Sequence, residues 1–296
     1  VREIAQQRCV LFLGAGVSAS SKATDNSSPP TWGEFLKEAV ALITNPEDRK
    51  EVEALVAEKR YLLGLQGVRK HADAGDYSAL LNKHFNSPKY PPGPLHEVIF
   101  GLDSRLVITT NFDKIYDQCC HVRAKEGFKV IPYDSTSLGD EIRSDTRLII
   151  KAHGSIDDPS KMIFTRGEYH QAKRKHPQFY EMLRAIFLTH TVLFIGCSLD
   201  DPDVLLILED VKVTSTATRP HYALVLKGKT PATVETKNEA EFLTVNSGEE
   251  IWTKFYYKTR VLKKEEIEKG VLVIALEAST EDGAYRAPEN KDEALN

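Results

Sequence analysis

Five short apolar runs constrain the fold of this chain more than any other feature: Cys9 to Leu13, Arg105 to Thr109, Arg147 to Lys151, Thr191 to Ile195 and His221 to Leu226. Each is nearly continuous rather than alternating. A strand with one wet face alternates apolar and polar residues, whereas a continuous run is buried on both faces, the pattern of a parallel sheet covered by helices. Helix signals lie between the runs. Thr31, followed by Glu34 three residues on, has the form of a capping box opening a helix toward Ile43. Asn45 before Pro46 reads as a cap and a first helical position. Phe179, Leu183, Ile186 and Phe187 fall at helical spacing and predict one long helix from Gly167 to about His190, feeding the strand at Thr191. The expected fold class is α/β: a doubly wound, mostly parallel, Rossmann-like sheet.

The stretch from about 49 to 100 has helical patterning and no strand run, which reads as a helical insertion carried on the sheet. Beyond Lys227 the chain turns polar and rich in lysine and glutamate, with one further strand-like run at Val271 to Leu276. The expected organisation is one domain over 1–277 and a polar tail or linker over 278–296, which has little to bury.

Charge and cysteine usage narrow the function classes. With 39 Lys and Arg against 43 Asp and Glu, the formal charge of -4 gives no global basic field for nucleic acid. Cys9, Cys119, Cys120 and Cys197 contain no pair spaced as CxxC, so neither a zinc ribbon nor a dithiol redox motif can be written. They read as thiols of a reducing compartment. No apolar stretch approaches about 18 residues and no secretion signal is recognisable, so a soluble cytoplasmic protein is expected.

Four segments at the ends of the apolar runs carry the chemistry. In LFLGAGVSAS, Gly14, Gly16 and Ala19 follow the first run in the spacing of a dinucleotide fingerprint. Glycine permits a sharp turn and close approach to a pyrophosphate, and the next helix start offers N–H groups to negative charge. A tight strand-to-helix turn without a ligand fits the same letters. No acidic residue closing a second strand follows about 20 residues on, as a dehydrogenase would have. Ser20 to Pro30 is instead a polar loop of the kind that covers a ligand.

VITTNFDKIYD brings Thr110, Asn111 and Asp113 to the end of the second run; capping a helix at Phe112 is an equally good reading of Asn111 taken alone. LIIKAHGS places His153, Gly154 and Ser155 after another run. A lone histidine is most often structural, but this one is a further polar group delivered to the edge where doubly wound sheets bind ligands. LFIGCSLDDPDV ends a strand at Gly196 and Ser198 and opens a helix over Asp200 to Asp203, which also reads as a glycine turn with an acidic cap. No GxxxxGK[ST] is present, so this chain is not expected to be an ATPase.

In this order, the four segments resemble the NAD-binding core of the sirtuin family over about Val10 to Asp203. Gly14, Ala15, Gly16 and Ser18 look like its glycine motif, Asn111 and Asp113 like its asparagine and aspartate motif, His153, Gly154 and Ser155 like its HGS, and Gly196 and Ser198 like its late ribose-binding turn. Protein-deacylating sirtuins carry four zinc cysteines after the histidine, yet Gly154 to Ile195 holds no cysteine, and the IPDFR segment is absent. The chain therefore looks more like the zinc-less, sirtuin-like effector domains of bacterial antiphage defence, and FTRGEYHQ resembles a segment of that branch.

The resemblance implies an NAD+ glycohydrolase that yields nicotinamide and ADP-ribose, linear or cyclised, with NAD as substrate and no metal. It implies Asn111 and His153 as catalytic residues, and Gly14, Ala15, Gly16, Ser18, Thr110, Asp113, Gly196 and Ser198 as cofactor-binding. The partners it implies are a second copy of the chain, a HerA-type ATPase or a phage-derived activator, with no membrane or nucleic-acid contact. Two other readings stand beside it: an NAD-dependent protein deacylase, and a non-catalytic sensor of NAD or ADP-ribose.

Overall fold

The computed structural model describes residues 2–58, 60–86, 89–124, 127–197, 221–226, 239–244, 253–260 and 271–278. The chain forms two compact units, Val1–Cys197 and Ser198–Asn296.

In the first unit, a short helix α1 (Arg2–Ala5) precedes strand β1 (Cys9–Leu13), whose five residues are all buried, as its unbroken apolar sequence requires. One helical turn, α2 (Ala15–Ser18), follows directly. Helices α3 (Trp32–Ala41), α4 (Pro46–Ala57), α5 (Tyr61–His71), α6 (Ala74–Phe85) and α7 (Pro94–Gly101) then lead to β2 (Leu106–Thr109). After α8 (Ile115–Arg123) come β3 (Phe128–Pro132), α9 (Leu138–Arg143) and β4 (Arg147–Lys151); α10 (Arg166–Lys175) and α11 (Pro177–Thr189) lead to β5 (Thr191–Ile195).

The helix starts follow local chemistry. Thr31 Oγ1 accepts from Glu34 N, while the Glu34 carboxylate accepts from Thr31 N at 2.7 Å, closing the capping box. Thr31→Ala is expected to cost about 1 kcal/mol in a urea unfolding midpoint. Asn45 Oδ1 accepts from Glu47 N at 2.9 Å ahead of Pro46.

The single long helix expected from Gly167 to His190 is two helices. Pro177 has no N–H to continue the first, and a proline pushes the preceding residue out of helical geometry, so His176 sits at φ -125, ψ 51 and Pro177 opens α11 at its first position. Strand β3 is absent from the apolar runs of the sequence because it is an edge strand with mostly half-buried or exposed residues.

The five strands of this unit lie in the order β3-β4-β2-β1-β5, every neighbouring pair parallel. Their register sets the site. Pro132 pairs with Lys151, Lys151 with Thr109, Thr109 with Leu13 and Leu13 with Ile195, so all five strands finish in one row. The chain passes from β1 to one side of the sheet and returns to the other side at β5, making the β1/β5 ends the switch point where doubly wound sheets bind ligands.

A buried apolar cluster fastens the helices between β1 and β2 to the loops that follow β2 and β4. Phe112 stacks on Phe164 at 4.1 Å between centroids, and Phe35 and Phe85 pack against Phe164 at 6.0 Å each. Phe112 adjoins Asn111, so helical packing bears directly on a motif loop.

In the second unit β6 (His221–Leu226), β7 (Glu239–Thr244), β8 (Thr253–Arg260) and β9 (Val271–Ala278) form antiparallel pairs in the order β6-β9-β8-β7. Two of these, β7 and β8, differ from the expectation of a single strand-like run in the polar, charged sequence beyond Lys227. Among the described residues, no helix is long and apolar enough to cross a membrane.

Candidate active site

The turn after β1 is held by the turn after β5. Gly14 N donates to Ile195 O at 3.0 Å, and Gly16 N donates to Gly196 O at 2.9 Å. The two backbones pass so closely that a Cβ on Gly16 would lie 2.9 Å from the Gly196 carbonyl oxygen, and one on Gly196 only 2.5 Å from Val17 N. Gly196 also has φ +67, a conformation that favours glycine. The glycines at 16 and 196 are therefore demanded first by packing of the two turns. The N–H of Gly16, which the sequence offered to a ligand, is taken by Gly196. The Ala15 N–H, at the exposed start of α2, has no protein acceptor among the described residues.

Asn111 reaches across to this turn from the end of β2. Its backbone N donates to Thr109 Oγ1 at 3.1 Å, and Thr109 Oγ1 donates to Leu13 O at 3.0 Å, tying the two strand ends together. Thr110 N likewise donates to Leu13 O. The Asn111 side chain donates through Nδ2 to Gly14 O at 2.9 Å and to Ser18 Oγ at 2.9 Å. A carbonyl oxygen only accepts, so the Gly14 contact fixes which end of the amide is nitrogen. The Asn111 Oδ1 is left without a hydrogen-bond partner among the described residues.

Ser18 passes the interaction on. Its hydroxyl donates to Asp113 Oδ2 at 2.6 Å, with both residues buried, while Asp113 Oδ1 accepts from Ile115 N at 3.0 Å. Asp113 thus caps the start of α8 and, through Ser18, orients Asn111. Ser18 and Asp113 use these side-chain atoms on each other. Ser18→Ala leaves Asp113 Oδ2 buried without its donor and is expected to cost about 1–3 kcal/mol in a denaturant unfolding midpoint.

Beneath the loop, Lys151 ends β4 at 2 % exposure, pairs with Asp117 at 3.0 Å and donates to Asp113 O at 2.6 Å. Burial pushes the Asp117 carboxyl above the usual carboxylate range even though Lys151 draws it down. Lys151 belongs to no motif in the sequence, although a cation closing a run buried on both faces has to find a partner. His153 follows two residues later and is also buried. Its carbonyl accepts from Ile163 N at 2.9 Å, and its Nδ1 lies 3.3 Å from the Tyr169 hydroxyl. Tyr169 was likewise not singled out, and nothing in local spacing marks it.

Glycine turn, Asn111 and His153 thus follow three strands whose ends stand in one row, with Gly196 behind the first turn. Ser198, Asp200 and Asp203 lie outside the described residues. Among the described residues, no group of three or more His, Cys, Asp or Glu side chains gathers as a metal site would require.

Residues 105–246 match the model of a family described as the SIR2-like domain, a stretch holding Asn111, His153 and Gly196. Over that stretch the chain is similar to SIR2-like domains. Its relatives include the NAD(+) hydrolase ThsA of Enterococcus faecium, 26% identical over 228 residues, or 76% of this chain and 44% of the relative. Defense-associated sirtuin 2 of Bacillus subtilis is 27% identical over 210 residues, 69% of this chain and 19% of the relative. The NAD(+) hydrolase ThsA of Bacillus cereus (strain MSX-D12) is 23% identical over 227 residues, with coverage of 76% and 44%. The alignments span less than half the length of these relatives. The glycine turn at Gly14 lies ahead of the matched stretch, and the register of β1 against β2 brings the two together.

Proposed function

We propose that this chain is an NAD+ glycohydrolase that breaks the nicotinamide–ribose bond of NAD to give nicotinamide and ADP-ribose. The observation that carries the reading is the convergence of Asn111, held by Gly14 and Ser18, with His153 along one row of strand ends. The relatives named NAD(+) hydrolase support the substrate.

Breaking a glycosidic bond passes through an oxocarbenium-like state, so the protein has to orient the ribose and deliver a nucleophile to the anomeric carbon. The Ala15 N–H and the turn around Gly14 suit the pyrophosphate. The Asn111 amide oxygen suits a ribose hydroxyl or the attacking water, because the amide nitrogen is already committed to Gly14 and Ser18. His153 serves as general base, a role open to the lone pair of a neutral imidazole. Ser18 and Asp113 act as positioning residues for Asn111, and Thr110, Gly196 and Ser198 complete the cofactor-binding set.

A cytoplasmic NAD-cleaving enzyme has to be restrained until needed, so the working form includes a switch: self-association, a HerA-type ATPase or a phage-derived activator. The domain extends over 1–277, with its helical insertion at about 49–100 and the segment 278–296 as a tail. The test is incubation of the protein with NAD, alone and with those partners, following nicotinamide and ADP-ribose by chromatography. Nicotinamide release without any peptide supports the glycohydrolase. Release only with an acyl-lysine peptide, together with acylated ADP-ribose, establishes a deacylase; NAD binding without cleavage under every condition establishes a sensor.

A further inference from the structure

We propose that Lys151 is a positioning residue for NAD cleavage: its buried ammonium is the strut that sets the distance between the loop carrying Asn111 and the loop carrying His153. The inference rests on the reading of those two residues as the pair that works on NAD.

The two loops are stitched to each other at several points. Ala152 N donates to Thr109 O at 2.9 Å where the strands end, and Ile156 N donates to Phe112 O at 2.9 Å. A third tie comes from Lys151, whose Nζ donates to Asp113 O at 2.6 Å and pairs with the Asp117 carboxylate at 3.0 Å. A fourth joins Lys114 Nζ to Asp157 at 2.7 Å. The Lys151 tie is close to both ends of the chemistry. Lys151 stands two residues before His153, and the carbonyl it holds belongs to Asp113, two residues beyond Asn111. The Asp113 carboxylate in turn takes the Ser18 hydroxyl, which accepts from the Asn111 side chain.

Burial decides which side-chain tie can set a distance. The Lys114 and Asp157 side chains are 37% and 62% exposed, and an ion pair so open to water is worth little and holds no fixed geometry. Lys151 is 2% exposed. A buried ammonium has no water to fall back on, so it keeps its acceptors, and its charge-assisted bonds are shorter and stronger than neutral ones. Stability alone does not call for this pair, because apolar side chains of like volume fill such a place without the cost of desolvating two charges. A lysine does what an apolar side chain cannot: it grips the carbonyl of the opposite loop.

Lys151→Met with Asp117→Leu removes the strut and leaves no lone buried charge, so most of the stability is kept. In the full chain, under conditions where wild type cleaves NAD and both proteins are folded, kcat is expected to fall about 100-fold with KM moving far less, because the misplacement is felt at the reacting centre. A purely structural lysine would leave kcat of the folded protein unchanged. Asp117→Asn does the converse. Its amide oxygen still accepts from Lys151, so stability falls while kcat stays near wild type, as it does in Lys114→Ala. Hydrogen exchange gives a readout independent of turnover: in the double variant the amides of Ile115 and Ile156 lose protection, while those within β2 and β4 keep it. A folded double variant with wild-type kcat would overturn the proposal, and so would one in which kcat falls no further than in Asp117→Asn. If the double variant does not fold, Lys151→Met with Asp117→Asn, compared with Asp117→Asn alone, isolates the same bond and is read in the same way. A wild type that cleaves no NAD under any condition counts against the glycohydrolase reading instead, and the exchange of the two amides then decides the role of Lys151 by itself.

Discussion

His153→Ala is expected to lower NAD cleavage about 100-fold to 10,000-fold, a loss of about 3 to 5 kcal/mol of transition-state stabilisation. The imidazole stands two residues beyond the end of β4, its backbone held by Ile163 and its ring by Tyr169, so the substitution removes a preorganised group and leaves its frame. Binding of NAD should weaken far less than kcat falls, since the turn at Gly14 and the Asn111 amide do not depend on the histidine. Single-turnover nicotinamide release, with NAD affinity measured separately, checks this. A variant that keeps wild-type kcat would remove His153 from the chemistry.

Lys151→Ala is expected to destabilise the first unit by about 3 to 5 kcal/mol, because Asp117 is left as a buried carboxylate whose cation is gone. Lys151 is 2 % exposed and its ammonium also donates to the Asp113 carbonyl, so the loop carrying Asn111 loosens at the same time. The pH dependence has a definite sign. Burial already holds the Asp117 carboxyl above its ordinary range, and removing Lys151 raises it further. A carboxyl whose folded value is raised favours the folded state while protonated, so the deficit is smallest below the ordinary carboxylate range. It is complete once the pH has risen through the raised value. Urea unfolding midpoints across that window measure the effect. Replacing the pair together, as Lys151→Met with Asp117→Leu, should recover much of the stability, because it leaves no lone buried charge. A Lys151→Ala midpoint equal to wild type would mean that Asp117 finds water or another donor.

These two residues also mark how far the sequence could be read. Strands β1, β2, β4 and β5 were legible because burial on both faces writes an unbroken apolar run, and the register that aligns Leu13, Thr109, Lys151 and Ile195 then follows from parallel pairing. The exposed edge at Phe128–Pro132 writes no such run, and the strands beyond Lys227 carry charged residues among their apolar ones. The break at Pro177 was present in the letters but masked by apolar spacing that continues through it. At the site, Gly14, Asn111 and His153 declared themselves by position after a strand. The bond from Ser18 to Asp113 joins residues 95 apart, and the one from Tyr169 to His153 depends on where α10 lands, so neither leaves a local pattern.

The most direct test of the central claim is a crystal structure of the His153→Ala chain soaked with NAD, in which slow turnover preserves the substrate. The pyrophosphate is expected against the turn at Gly14 and Ala15, and the nicotinamide ribose beside the Asn111 amide oxygen. NAD bound elsewhere, or a site at the strand ends that stays vacant at saturating NAD, would contradict it.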